Sequence, residues 1–314
     1  MEVLEVDPIK FDKLIPIKRH VFSGAEFNVL NKDKVESVKF ITFSKKNKIV
    51  IGIVGGVRNN TLYSPFSAPF GGWVYNGALN LEDLETAYVL LEKHLIEQNI
   101  EHIKIILPPF FYDESGLALI FNTAMRHSYS ISNVDLNFQF DLVNFNDNYL
   151  STIHYNANKN YRIGERSGLT IRKAQGTEEV KMAFDVIAQN RKERGFPLKM
   201  SFENIAETVK IIPADFFIVF NKESVPVASA MVFYVTKDIV QVVYWGHIME
   251  FSSLKPVNYL SYYLFDHYKK TGLKFVDIGP STEDSMPNYG LVEFKESIGC
   301  SISSKLTLQK TFIK

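Results

Sequence analysis

Residues 216–248 read FFIVF-NKES-VPVASAMVFY-VTKD-IVQVVYWGHI: three β-branched and aromatic runs, Phe216–Phe220, Val225–Tyr234 and Ile239–Ile248, joined by short polar turns. That pattern predicts an antiparallel meander. Downstream, a helix from about Pro256 to Lys270 stops at Gly272. A strand from Lys274 to Ile278 meets Gly279-Pro280, a short helix covers Leu291–Ser297, and a last strand covers Ser303–Leu308. Upstream, Leu169–Arg172 begins a strand. Thr177 with Glu178 and Glu179 opens a helix that ends at Arg194-Gly195, and Ser201 caps a second helix to about Ile211.

The first half repeats much of this order. Val38–Phe43 and Ile49–Val57 flank the polar Ser44-Lys45-Lys46-Asn47 as a hairpin. Ser64–Trp73, with its prolines and Gly71-Gly72, forbids a regular element and either lines a groove or forms a rigid turn. Asn80 precedes an acidic first turn and the apolar series Leu84, Ala87, Tyr88, Leu91, Leu95, which is a capped amphipathic helix. A buried strand His102–Leu107 ends at Pro108-Pro109, and Gly116–Met125 is a further helix. Val134, Leu136, Phe138, Phe140 and Leu142 alternate with Asp135, Asn137, Gln139 and Asp141, as on a strand with one face in water. The two halves share this pattern at an offset of roughly 170 residues, without strong residue identity. The expected organisation is an N-terminal lobe over 1–145, a polar bridging segment over 146–167 and a C-terminal lobe over 168–314, all mixed α/β.

Composition narrows the function classes. The 314 residues are 46% hydrophobic and 22% charged, which is globular. Lys plus Arg equals Asp plus Glu at 35 each, so no global field draws the chain to nucleic acid or an anionic membrane. The single Cys300 allows neither an internal disulfide nor a cysteine-based metal cluster, and no metal is expected. The acidic start Met1–Asp7 lacks the features of a secretory signal, and the most apolar run, Ile49–Val57, is far shorter than the ~20 residues of a membrane-spanning helix. A cytoplasmic location without a membrane span is expected. Motifs for serine hydrolases, phosphate-loop NTPases, zinc proteases and dinucleotide enzymes are absent from the sequence.

The order strand, two helices, three-stranded meander, helix, strand, helix, strand is that of the GNAT acyltransferase fold, which the second half resembles over most of its length. The chain as a whole resembles the FemAB-like branch, with two such domains in tandem and a bridge between them. The residues that carry this resemblance are Asn158-Lys159-Asn160-Tyr161-Arg162, running into Gly168–Ala174, and Asn288–Gly299 with its Phe294-Lys295 after Asp277-Ile278-Gly279. The resemblance implies transfer of an acyl or aminoacyl group from a small-molecule donor to an amine acceptor in a cleft of the C-terminal lobe. Ordinary members use acyl-CoA, and the Fem branch uses aminoacyl-tRNA to build peptidoglycan bridges. The usual Arg/Gln-x-x-Gly-x-Gly/Ala pyrophosphate loop is replaced by Glu250–Asn258, which has no glycine. That departure leaves three readings open: acyl-CoA by another route, aminoacyl-tRNA, or a non-catalytic module that binds a small ligand.

The resemblance puts Lys295 at the family's Phe-Lys position, where its ammonium can meet a carboxylate, a phosphate or an acyl oxyanion; otherwise it is a surface lysine. Tyr244 can protonate a leaving group and His247 can deprotonate an amine, with Trp245 beside them. Alternation puts Tyr244 and Gly246 on one face and Trp245 and His247 on the other, and all can equally be core. Asp277 is a base, an anchor or a turn residue. Ser281 lies in the adjoining loop, and Asn258 at the next helix start faces the pocket or caps the helix. Arg191 and Arg194 can grip a carboxylate. Lys159 and Arg162, with Arg166, Arg172 and Lys173, form either a phosphate-binding patch or a solvated helix face.

Overall fold

The computed structural model describes residues 1–16, 20–196, 198 and 200–312. They fall into two compact units, Met1–Leu136 with Ser303–Lys314, and Asn137–Ile302.

The first unit contains β1 (Glu2–Glu5), α1 (Pro8–Leu14), α2 (Ala25–Leu30), β2 (Ser37–Lys45), β3 (Lys48–Arg58), β4 (Thr61–Ser64), β5 (Trp73–Tyr75), α3 (Leu81–Glu97), β6 (His102–Ile106), α4 (Glu114–Arg126) and the start of β7 (Ser130–Asp141). The hairpin and both long helices stand where the periodicity puts them, and the Asn80 side chain accepts from Asp83 N at 3.2 Å as a helix cap. The short elements β1, α1, α2, β4 and β5 were not legible because too few residues carry their pattern. α3 lays Leu84, Tyr88, Leu91 and Leu95 against Ile53, Ile103 and Ile105, all fully buried. Ser64–Trp73 is a fixed turn: Ser64 Oγ donates to Val54 O at 2.5 Å and accepts from Gly72 N at 3.0 Å, while Gly71 N donates to Ile106 O at 2.8 Å.

The second unit contains the end of β7, α5 (Tyr149–Thr152), α6 (Tyr155–Arg166), β8 (Thr170–Lys173), α7 (Gly176–Glu193), α8 (Phe202–Ile211), β9 (Ala214–Phe220), β10 (Pro226–Tyr234), β11 (Ile239–His247), α9 (Pro256–Lys270), β12 (Phe275–Pro280), the small hairpin β13 (Thr282–Glu283) and β14 (Met286–Pro287), and α10 (Tyr289–Ser297). Its strands run in the order β7-β12-β11-β10-β9-β8, with β11 and β12 parallel and the other pairs antiparallel. The meander and the helices around it match expectation. α7 lies on one face, where Ser229 Oγ donates to Ala183 O at 2.7 Å. On the other face α9 buries Leu260, Leu264 and Phe265 among Val240, Val242 and Val276. Phe265 stacks on Phe140 at 3.9 Å, and burial of such a side chain stabilises by about 2–3 kcal/mol.

Two expectations need correction. The last strand, β15 (Ser301–Thr311), was read as the end of the second half, yet it pairs antiparallel with β6 and places Leu306, Leu308 and Phe312 in the first unit's core. The alternation in β7 does not mean a wet face either, since Asn137 is 1% and Gln139 6% exposed. Their amide nitrogens donate to Asp277 and Ser301 on neighbouring strands where water was expected to accept, and Gln139 Oε1 has no partner.

Candidate active site

β11 and β12 pair in parallel only at Ile239↔Phe275, Val240↔Val276 and Gln241↔Asp277, after which β11 runs on to His247. The strands part at Gln241 and Asp277. A bulge marks the same stretch: Val232 is opposite Val242 and Met231 is opposite Tyr244, so Val243 is the extra residue. Tyr244 thereby returns to the face that carries Gln241.

That face is covered by α7. Asn190, 3% exposed, donates through Nδ2 to His247 O at 2.6 Å, and its Oδ1 would lie 2.2 Å from a Cβ placed on Gly246. Gly246 is therefore required for this close approach. The Arg191 guanidinium sits over the Tyr244 ring at 5.5 Å, with its Nε buried and unpartnered. Burial pushes the Tyr244 hydroxyl up, and the Arg191 cation offsets part of that. Arg194, exposed, ends α7 as its C-cap.

On the opposite face Trp245 meets Phe294 edge-on at 5.7 Å. His247 Nε2 is 3.0 Å from Ser252 Oγ, and Ser252 donates its own proton to Met249 O at 2.5 Å. The Nε2 atom therefore carries the proton and Nδ1 is the basic nitrogen. Burial first, then the Arg194 and Lys255 cations, push His247 below its ordinary range, against an opposing pull from Glu193.

Lys295 is not a surface residue. It is 3% exposed, its Nζ donates to Gly279 O at 2.8 Å and to Pro280 O at 2.9 Å, and it lies 5.2 Å over the Phe138 ring. Burial lowers it to about 8. Asp277, fully buried, accepts from Asn137 Nδ2, Gln241 Nε2 and Gly279 N, each at 2.8 Å. Ser281 is 2% exposed with no partner for its hydroxyl.

The structure thus brings Arg191, Tyr244, Trp245, His247, Asp277, Ser281 and Lys295 around one diverging strand pair. Asn258 is not a cap: Lys255, at φ 54°, occupies that position, and Asn258 is the third residue of α9. Lys159 and Arg162 lie on exposed turns of α6, and Arg162 is paired with Glu165 at 3.0 Å. Arg172 pairs with Glu179, and Lys173 with Asp215 at 2.5 Å, so much of the basic run is already neutralised. Where ordinary acyl-CoA enzymes carry a glycine loop, Met249–Leu254 forms a 3-10 turn. Sequence reasoning missed Asn190, Asn137, Gln139 and Gln241. Only Gly246, a glycine within a strand, signalled that another group approaches there.

The fold defined by these elements is of the tandem GNAT type. Neither a protein-family profile nor a curated protein matches the sequence. Among solved structures the chain is similar to FemX, with a TM-score of 0.72 at 12% identity over 99% of this chain and 98% of that one. It is also similar to L-PGS from Bacillus licheniformis, at 0.62 and 14% over 99% and 94%. A tandem GNAT protein from the clavulanic acid biosynthesis pathway matches at 0.55 and 7% over 99% and 98%. Among the described residues no helix is long and apolar enough to cross a membrane, and no cluster of His, Cys, Asp or Glu is grouped to hold a metal.

Proposed function

We propose that this chain is an N-acyltransferase, and that its donor and amine acceptor meet where β11 and β12 part. The observation that carries this reading is the end of their pairing at Gln241↔Asp277, with β11 continuing and bulged at Val243. Strand backbone released from one neighbour offers N–H groups to an acyl oxygen as negative charge develops there. In this reading Lys295 adds positive charge near that oxygen, His247 Nδ1 takes the proton from the attacking amine, and Tyr244 protonates the leaving group. Asp277, with three hydrogen bonds already made, is an anchor and not the base. The two lobes are the units Met1–Leu136 with Ser303–Lys314 and Asn137–Ile302, the bridging residues 146–167 belonging to the second, and a cytoplasmic setting suits the single, partly buried Cys300 thiol, which desolvation pushes up.

The 3-10 turn at Met249–Leu254 argues against pyrophosphate binding on a glycine loop, which favours acyl-CoA held by another route or an aminoacyl-tRNA. The likeness to FemX supports the second. A thermal-shift series with acetyl-CoA, longer acyl-CoAs, free CoA and charged tRNA separates them, because a ligand of the native state raises the midpoint. A CoA-specific rise selects acyl-CoA, and a salt-sensitive rise with tRNA alone selects the Fem-like reaction. Binding without turnover makes the chain a ligand-binding module. Lys295→Ala is expected to abolish turnover of whichever donor binds; unchanged turnover removes Lys295 from the mechanism.

A further inference from the structure

At the apex of the parting strands lies a row of buried acceptors. Gln139 on β7, Asp277 on β12 and Gln241 on β11 are direct register partners, so their side chains share one face. Gln139 is 6% exposed and Gln241 4%, and the Oε1 atom of each is buried without a hydrogen-bond partner. The carboxylate fixes Gln241: it turns its Nε2 to Asp277 at 2.8 Å, which leaves its Oε1 over. Gln139 Nε2 donates to Ser301 Oγ at 3.2 Å, and its Oε1 has no partner. The unpartnered hydroxyl of Ser281 follows at the end of the same strand.

Two buried carbonyl oxygens flanking a carboxylate match a group that only donates. An ammonium has three N–H donors, no acceptor and the complementary charge. Lys295 does not fill this role, since its Nζ is spent on Gly279 O and Pro280 O beside Phe138, a residue that alternation puts on the other face from Gln139. We infer that the Gln139–Asp277–Gln241 row is a binding site for a primary ammonium of the acceptor substrate on the face covered by α7, a group distinct from the attacking amine that His247 deprotonates on the other face. The inference rests on the acyl-transfer reading for the identity of that substrate, and on the unpartnered oxygens for its charge.

The test compares n-propylammonium chloride with n-propanol at matched concentration and ionic strength, by thermal shift on the full chain. Wild type is expected to gain stability with the ammonium and not with the alcohol. Gln241→Met is expected to weaken that response by about tenfold in apparent affinity, the loss of one hydrogen bond to a charged group. Gln139→Met serves as a second variant if Gln241→Met does not melt cooperatively. An equal response to both probes, no response to the ammonium, or an undiminished response in the folded variants overturns the site. Acyl-CoA and charged tRNA in the same series keep the two readings apart: a donor shift without an ammonium shift leaves the transferase and removes this site. An ammonium shift without any donor response does the reverse.

Discussion

Lys295 is the residue whose surroundings act most directly on its chemistry. Two carbonyls and an aromatic face replace its water, and burial brings it from an ordinary 10.5 down to about 8. Between those values the unfolded chain holds a proton that the folded chain has released, so stability must rise with pH across that window and be lower below about 8. The size is on the order of 3 kcal/mol. Urea titrations at pH 7.5, 9 and 10.5 are expected to show this rise in wild type and to lose it in Lys295→Met; parallel pH profiles would refute it. A second residue-scale outcome concerns Gly246. An added methyl would strike Asn190 Oδ1 at 2.2 Å and dislodge its hydrogen bond to His247 O, so Gly246→Ala is expected to cost about 2–3 kcal/mol. Adding Asn190→Ala should make that cost smaller than the sum of the single changes, as a double-mutant cycle measures.

Between elements, Asp215 at the start of β9 ties three neighbours together. It accepts from Tyr234 of β10 at 2.9 Å and Tyr268 of α9 at 3.2 Å, and pairs with Lys173 of β8 at 2.5 Å. At 3% exposure it leaves few alternatives to those partners, so Asp215→Ala is expected to cost about 3 kcal/mol by stranding the buried Tyr268 hydroxyl and the partly buried Tyr234 hydroxyl. Chemical denaturation measures it, and a loss under 1 kcal/mol would show that water takes over. Elements were also the scale most legible in the sequence. The meander, α3, α7, α8 and α9 declare themselves through runs of one period bounded by caps and turns, with Ser201 accepting from Asn204 N as its position suggested. What the sequence concealed depends on long-range pairing. Asn137 and Gln139 look like solvent-facing residues of an alternating strand, and nothing local reveals that Asp277 and Ser301 come to meet them. The separation of β11 from β12 was hidden for the same reason, since a strand's text does not say where its neighbour leaves. Tyr244, Trp245 and His247 were legible because they end an obvious strand. The helix begins at Pro256 as expected, and only the capping alternative for Asn258 fails, because Lys255 takes the cap in a left-handed conformation that sequence preference does not favour.

At the scale of the whole molecule, β15 is the element with the widest reach. It belongs to the first unit by pairing and packing, while its residues follow the entire second unit in the chain. Truncation after Ile302 is expected to remove hydrogen-exchange protection from β6, which would lose its partner from Thr307 to Thr311, while protection in β9 and β10 persists. Full retention of β6 protection would mean that the first unit does not need the strand. The same topology bears on biogenesis. The segment Asn137–Ile302 is continuous and able to condense as soon as it leaves the ribosome, whereas Met1–Leu136 is made first and must wait for the last strand to be translated. Synthesis and maturation therefore run in opposite orders in this polypeptide, and during that interval the unfilled β6 edge and its apolar face are what a nascent-chain chaperone would meet.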